Sequence, residues 1–286
     1  MRIECLEMIS QKGVGQHNED RAVCTARGAA VMDGATGLGG RRHFSDASDA
    51  AWFAETLAGA LSQLLCDDRP LLDNLAEAVR AVRREADRRA FEWRSLLPYE
   101  QPSASLAAVK LREDALEYAI LGDCTLALRA VAGPVQVFSD PRLAPLDEAV
   151  IRFIHERQGH GVAYEEAKAQ ALPLLRANRS RMNTPGGYFA ASLDGTGIPH
   201  AVTGRLPAEA GLHGVLASDG FSRAVDLFRL TDWAALTGAI RSGEAGPLAV
   251  AADRLRQAEA SDPDCLRHPR LKVSDDATAI RFEIRA

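Results

Sequence analysis

Asp20, Asp33, Asp123, Asp219 and Asp275 each stand where a short apolar run meets a loop, and three of them touch a glycine, as Asp33-Gly34, Gly122-Asp123 and Asp219-Gly220. The first two lie within one stretch, Asn18-Glu19-Asp20-Arg21 followed by Val31-Met32-Asp33-Gly34-Ala35-Thr36-Gly37. No histidine or cysteine cluster accompanies them, so the chemistry they suit is that of a hard divalent cation held by oxygen. Side chains at equivalent strand ends can converge on one rim of a sheet sandwich. Several carboxylates within a few ångströms cannot all stay ionised unless cations neutralise them. Magnesium or manganese meets that need, and two such ions can activate a water for in-line attack on phosphorus. Any single Asp-Gly is more often a turn, so the weight lies in the repetition.

The elements that must position these acids follow from periodicity. Ile3 to Ile9 reads as a strand, broken by Gly13 and Gly15. Ala22-Val23-Cys24 and Ala29-Ala30-Val31-Met32, separated by Arg27-Gly28, form a hairpin pattern that Asp20 precedes and Asp33 ends. From about Ser45 to Leu65, Ala50, Phe53, Ala54, Leu57, Leu61 and Leu64 recur at three- and four-residue steps, which predicts a helix with Ser45 or Asp46 as N-cap. A second helix is expected from about Leu71 to Phe91, with Leu75, Ala78, Val79 and Val82 inward and arginines outward. Two such apolar stripes need a sheet or each other to cover them.

Ser105 to Leu111, Leu116 to Leu121, Thr125 to Leu128 and Val135 to Phe138 read as a meander of antiparallel strands interrupted at Gly122-Asp123. Pro141 to about Pro207 is more polar, with short helices over Val150 to Arg157 and Tyr164 to Ala177, and reads as a less-packed insertion projecting from the core. Tyr188 to Leu193 and His200 to Thr203 could be strands returning from it. Gly214 to Ser218 is a short buried strand ending at Asp219-Gly220. Helices are expected around Asp226 to Arg241 and Gly246 to Glu259, and Ala277 to Ile284 is the final strand.

The 286 residues are 47% hydrophobic and 26% charged, enough for a large core. A net charge of -5 argues against a dedicated nucleic-acid binder. No apolar run approaches a membrane span and the charged start is unlike a signal peptide, so no membrane association and a cytoplasmic location are expected. Cys5, Cys24, Cys66, Cys124 and Cys265 are scattered and odd in number, which points to small packing hydrophobes rather than a disulfide or zinc framework. There is no G-x-S-x-G elbow, no phosphate loop ending in Gly-Lys-Ser/Thr and no activated cysteine, and Ser218 reads as a packing residue.

The chain resembles the metal-dependent serine/threonine protein phosphatases of type 2C, the PPM type. The pieces that carry the resemblance come in the family's order: Asn18-Glu-Asp-Arg21, Val31-Met-Asp-Gly34, Ser103-Ala-Ser-Leu-Ala-Ala-Val109, Leu121-Gly-Asp-Cys124, Leu216-Ala-Ser-Asp-Gly-Phe221 and Ser274-Asp-Asp-Ala-Thr-Ala-Ile280. The resemblance implies an α+β fold, a four-layer αββα sandwich of two antiparallel sheets flanked by helices. It implies a single domain over 1–286 with a flap-like insertion at about 141–207 that shapes substrate access. It also implies hydrolysis of phosphoserine or phosphothreonine by a water activated by two magnesium or manganese ions, in a bacterial-type signalling circuit with a partner Ser/Thr kinase. Asp33 matches the aspartate that bridges the metals and Gly34 the residue offering its carbonyl. Asp20 and Glu19 match the acidic pair at the second metal, Asp219 and Asp275 the remaining ligands of the first, and Asp123 the aspartate of a weaker third.

The chain also departs from the family pattern. Gly15 stands where an arginine usually binds the substrate phosphate, Gly34-Ala-Thr-Gly37 holds only part of the usual glycine turn, and Thr125 replaces a frequent arginine. Lys12, Arg21, Arg41 or Arg181 could supply the missing cation, an arginine best suiting bidentate phosphate contact. His17, beside the acidic pair, could donate a proton to the leaving alkoxide. Two other functions fit the same residues: a catalytically weak relative serving as a binding or sensor module, and a phosphatase for a small phosphorylated metabolite.

Overall fold

Ala29 and Val31 pack on one side of their strand while Ala30 and Met32 pack on the other, so a strand apolar throughout has both faces covered. That pattern organises the fold. The computed structural model describes residues 1–89, 91–238 and 245–286. In chain order its elements are β1 (Arg2–Gln11), β2 (Asp20–Cys24), β3 (Gly28–Ala35), α1 (Asp49–Leu64), α2 (Leu71–Asp87), β4 (Ser103–Arg112), β5 (Ala115–Leu121), β6 (Thr125–Arg129) and β7 (Val135–Phe138). There follow α3 (Ala144–Gly159), α4 (Tyr164–Gln170), α5 (Leu172–Arg179), β8 (Ala191–Ser192), β9 (Val202–Pro207), β10 (His213–Ala217), α6 (Asp219–Asp226), α7 (Trp233–Leu236), α8 (Pro247–Ala260) and β11 (Ala277–Arg285).

The strands form two antiparallel sheets, ordered β1-β11-β10-β6-β7 and β2-β3-β4-β5-β9, with β8 paired to the start of β4. Val31, Val109, Ile120, Leu126, Leu216, Ile280 and Phe282 fill the layer between them. Outside the second sheet lie α1 and α2, whose Phe53, Leu57, Leu61, Leu75 and Val82 cover Met32 and Leu106. Outside the first lie α6, α7 and α8, whose Phe221, Leu236 and Leu255 cover Val215 and Ala279. Each fully buried Leu or Phe contributes about 1.5–3 kcal/mol of transfer free energy, so these layers hold the sheets face to face. The result is the expected αββα sandwich.

Several local expectations change. The meander does not stay in one sheet: β5 belongs to the second and β6 to the first, so the chain crosses between sheets at Gly122-Asp123. The first long helix begins at Asp49 with Ser48 as N-cap, not at Ser45 or Asp46. The reason is local, because the Asp49 carboxylate accepts the amides of His43, Phe44 and Ser45 and folds that segment into a turn. The second ends at Asp87. β3 runs past Asp33 to Ala35, and the strand expected over Tyr188 to Leu193 contracts to Ala191–Ser192. Where a helix was expected around Asp226 to Arg241, α6 ends at Asp226 and α7 covers Trp233–Leu236; residues 239–241 lie outside the described residues. Cys124 and Cys265 are buried as expected, but Cys5 and Cys66 are exposed, Cys5 beside the register shift of β1 and Cys66 in the turn after α1. The polar insertion packs around two small clusters of its own, one built on Val150, Ile154, Tyr164 and Ala167 with Cys265 of the core, the other on Met182, Tyr188 and Ala190.

Candidate metal centre

The pairing register brings the five aspartates to one edge. Asp20 and Asp33 are direct partners across β2 and β3, and Asp33 is in turn opposite Ser105 on β4. Opposed residues project from the same face of a sheet. Asp33 continues the row of Ala29 and Val31, so that face is the inner one, at the rim of the layer between the sheets. In the facing sheet Ala217 pairs with Ala279 on one side and Thr125 on the other. The end of β10 and the starts of β11 and β6 therefore lie level, and they deliver Asp219, Asp275 and Asp123 to the same rim.

Two glycines make this approach possible. Gly122, at φ +69, sits where a Cβ would fall 2.1 Å from Ser105 Oγ, so only glycine lets the crossover run this close to β4. Gly34 donates its amide to Glu19 O at 3.2 Å, and a Cβ there would fall 2.6 Å from the same carbonyl.

A cavity of about 330 Å³ opens at the rim, lined by Asp33, Gly34, Asp123, Asp219 and Asp275 together with Asp147, Lys168 and Arg179 of the insertion. A neighbouring cavity of about 380 Å³ is lined by Gly15, His17, Glu19, Arg41 and Asp275. The two share Glu19, Thr36, Lys168, Lys272 and Asp275.

Charge is distributed unevenly over the cluster. Burial pushes Asp20 up to about 8, with Asp219 and Asp275 adding to it, and burial with Asp219 pushes Asp123 up to about 6. Asp33 is raised well above the usual range by burial and by Asp20, Asp219, Asp123 and Asp275. Asp275 is buried as well, but Lys272 and Arg223 outweigh that and hold its carboxyl below the usual range. Lys272 Nζ lies 2.6 Å from Asp275 Oδ1, and Arg223 donates to Asp275 Oδ2 at 2.8 Å and to Asp219 Oδ2 at 3.3 Å. Both oxygens of Asp20 and Oδ1 of Asp123 are buried without a hydrogen-bond partner among the described residues. A hard cation is the partner that such an all-oxygen set fits. Among the described residues, however, no three His, Cys, Asp or Glu side chains close on one point, and Asp219 and Asp275 are paired with Arg223.

Neighbouring residues hold the first acidic pair in place. The Asp276 carboxylate accepts the amides of Gly13 at 2.8 Å and Glu19 at 2.7 Å, pinning the loop that carries His17. The Glu19 carboxylate accepts from the hydroxyls of Thr36 and Ser48. Of the cations singled out in the sequence, Arg41 lines a cavity. Lys12 donates to Gln16 O, Arg21 pairs with Glu55, and Arg181 donates to Gly186 O; these three line neither cavity. Sequence reading missed Lys168, Lys272, Arg223, Asp276 and Asp147, the last pushed up to about 7 by burial and by Asp123. Asp276 and Lys272 flank Asp275 closely enough to have been noticed. Lys168 and Asp147 lie on insertion helices, where no motif marks them.

Residues 10–245 match the protein-family description Protein phosphatase 2C. The chain belongs to that family. Protein phosphatases 2C are metal-dependent serine/threonine phosphatases, as the sequence resemblance implied. Solved structures share the fold of this phosphatase. The serine/threonine phosphatase PstP/Ppp of Mycobacterium tuberculosis is 19% identical with a TM-score of 0.56, each chain covering 100% of the other. The catalytic domain of PstP in complex with two manganese ions is 21% identical with a TM-score of 0.55, over 100% of this chain and 99% of that one. PppA, a regulatory component of the T6SS in Pseudomonas aeruginosa, is 16% identical with a TM-score of 0.54, over 99% and 98%. No curated protein matches the chain. Among the described residues of this phosphatase, no helix is long and apolar enough to cross a membrane.

Proposed function

We propose that this protein phosphatase 2C hydrolyses phosphoserine and phosphothreonine in proteins, using two magnesium or manganese ions held on the acidic rim. One observation carries the reading: Asp33, Asp123, Asp219 and Asp275, delivered from both sheets, line one cavity, while Asp123 and Asp20, the cross-strand partner of Asp33, present buried oxygens without a hydrogen-bond partner among the described residues. Asp33, the Gly34 carbonyl, Asp219, Asp275, Asp20 and Glu19 would hold the two ions, and Asp123 would serve a weaker third. When bound, such ions lower the pKa of a coordinated water and polarise the phosphoryl group.

The chain's own residues do the rest. Asp276, Thr36 and Ser48 fix Glu19, so the acidic pair is positioned before any ligand arrives. His17 lines the adjoining cavity and would give a proton to the leaving serine or threonine oxygen. The insertion at about 141–207 contributes Asp147, Lys168 and Arg179 to the cavity wall and acts as the flap of a single 1–286 domain. The partner of such an enzyme is a protein phosphorylated by a Ser/Thr kinase, in the cytoplasm. The test is turnover of a phosphothreonine peptide, expected to vanish in EDTA and return with manganese. Asp33→Asn and Asp219→Asn abolish it while keeping the native circular dichroism. Turnover that survives chelation overturns the reading.

The second reading, a catalytically weak binding or sensor module, is favoured by one feature: both oxygens of Asp275 are occupied by protein cations. Manganese binding in calorimetry without turnover of any phosphopeptide or aryl phosphate would select it.

A further inference from the structure

We propose that Lys168, with Arg41 beside the same cavity, is the phosphate clamp of this site, contacting the phosphoryl oxygens of a phosphorylated side chain from the insertion rather than from position 15. This rests on the functional reading above. On that reading the ions would offset much of the acidic charge of Glu19, Asp33 and Asp275, and a phosphate dianion entering there would gain further from side-chain cations that meet its remaining oxygens. Six cations line the two cavities: Arg41, Arg42, Lys168, Arg179, Arg223 and Lys272. Four are committed. Arg223 and Lys272 hold Asp219 and Asp275. Arg179 donates to Ser103 Oγ at 2.7 Å and Thr36 O at 3.4 Å, and Arg42 donates to Asp46 O and to Gln16 Oε1.

The side chains of Lys168 and Arg41 make no ion pair or hydrogen bond among the described residues, and of the two only Lys168 lines both cavities. Its ammonium lies 5.8 Å from the centre of the Tyr164 ring, at the outer reach of a cation–π contact that leaves its N–H donors unused. The half-buried Lys168 is also well placed mechanically. It follows buried Ala167 on α4, and Tyr164 at the head of that helix donates its hydroxyl to Arg270 O at 3.2 Å. The helix is therefore docked on the core, and the lysine projects from a fixed platform. A compact ammonium on a flexible stem suits a phosphate as a point charge without the bidentate geometry of an arginine.

Position 15 offers the converse test. Gly15 has an ordinary φ, and a Cβ there would meet only His17 O at 3.4 Å, so the backbone does not require glycine. A guanidinium can be put back at the wall of the cavity that Lys168 shares.

The experiment measures inorganic phosphate binding to the manganese-loaded protein by calorimetry, alongside KM and kcat for a phosphothreonine peptide. Lys168→Met should weaken phosphate binding and raise KM by about tenfold or more, the loss of one charge-assisted contact, with an unchanged melting temperature. Lys168→Arg should keep most of the affinity, and Gly15→Arg in the Lys168→Met background should recover it, which separates lost charge from lost fold. Phosphate affinity and KM in Lys168→Met within about twofold of wild type overturn the clamp, as does a wild-type protein that binds no phosphate. A wild-type protein that binds phosphate through Lys168 but turns over no phosphopeptide overturns the phosphatase reading and leaves the clamp standing.

Discussion

Asp20 and Asp33 stand opposite each other on β2 and β3, two carboxylates on the same inner face with only 1% of Asp20 exposed. Direct cross-strand partners place their Cβ atoms roughly 5 Å apart, where like charges destabilise. The pair is built for binding at the expense of stability. Asp20→Asn should therefore raise the melting temperature of the metal-free protein by a few degrees, about 2–4 °C per kcal/mol of relieved repulsion. The same change should lower phosphopeptide turnover by about 100-fold or more. A melting temperature lower for Asp20→Asn than for wild type, both in EDTA, would refute the repulsion.

Metal should act as a structural ligand too. At a free manganese concentration 100-fold above Kd, one ion stabilises the folded state by about 2.7 kcal/mol. Differential scanning fluorimetry should show an upward shift with manganese, reversed by EDTA and absent in Asp33→Asn. Equal shifts in wild type and Asp33→Asn would place the ion elsewhere.

For the Asp275 carboxylate, a divalent cation bound as proposed would have to compete with Lys272. Its ammonium lies 2.6 Å from Asp275 Oδ1 in a side chain still 47% exposed, close enough to neutralise the acid and free enough to leave. Lys272→Met should tighten manganese binding by about tenfold, the equivalent of about 1.4 kcal/mol. Calorimetry on the two proteins decides it, and unchanged affinity counts against competition.

Far from the rim, Lys110 is wholly buried on β4, with its ammonium on Asp67 Oδ1 at 3.0 Å, Arg69 O at 2.7 Å and Asn74 Oδ1. Burial alone would raise the Asp67 carboxyl, but hydrogen bonds from Asn74, Lys110 and Arg69 override it and hold the group well below the usual carboxylate range. A depressed folded value means that the unfolded chain binds protons first. The stabilisation is thus fully present above about pH 4 and drains as the pH falls below it. Asp67→Asn should cost about 2 kcal/mol at pH 7, read from urea midpoints, and the gap to wild type should shrink below pH 4. A gap that stays constant down to pH 2 would dismiss the ionic contribution.

Much of this was legible in the residues. Short apolar runs bounded by turn residues locate β2 and β3, a helical stripe locates α1, and alternation locates β11. The acids were legible as a set because glycines and strand ends mark them. The sheet switch at Gly122-Asp123 was not, since a loop within a meander and a loop between sheets have the same local composition. The turn over His43 to Ser45 was hidden for a similar reason: Ser45 has a capping side chain, but Asp49 takes the amides that decide where α1 starts. Lys168 and Asp147 read as ordinary charges on polar helices. Only the fold of the insertion over the rim turns them inward.

The crossover at Gly122-Asp123 has a consequence for how the enzyme comes into being. Asp20 and Asp33 belong to one sheet, Asp219 and Asp275 border the other, and Asp123 lies on the segment that stitches them. Neither sheet alone owns all five aspartates, and Asp20 and Asp275 lie far apart in the sequence. If the ions bind as proposed, a nascent or half-folded copy would lack part of their site and would be inert toward its neighbours. Activity certifies assembly.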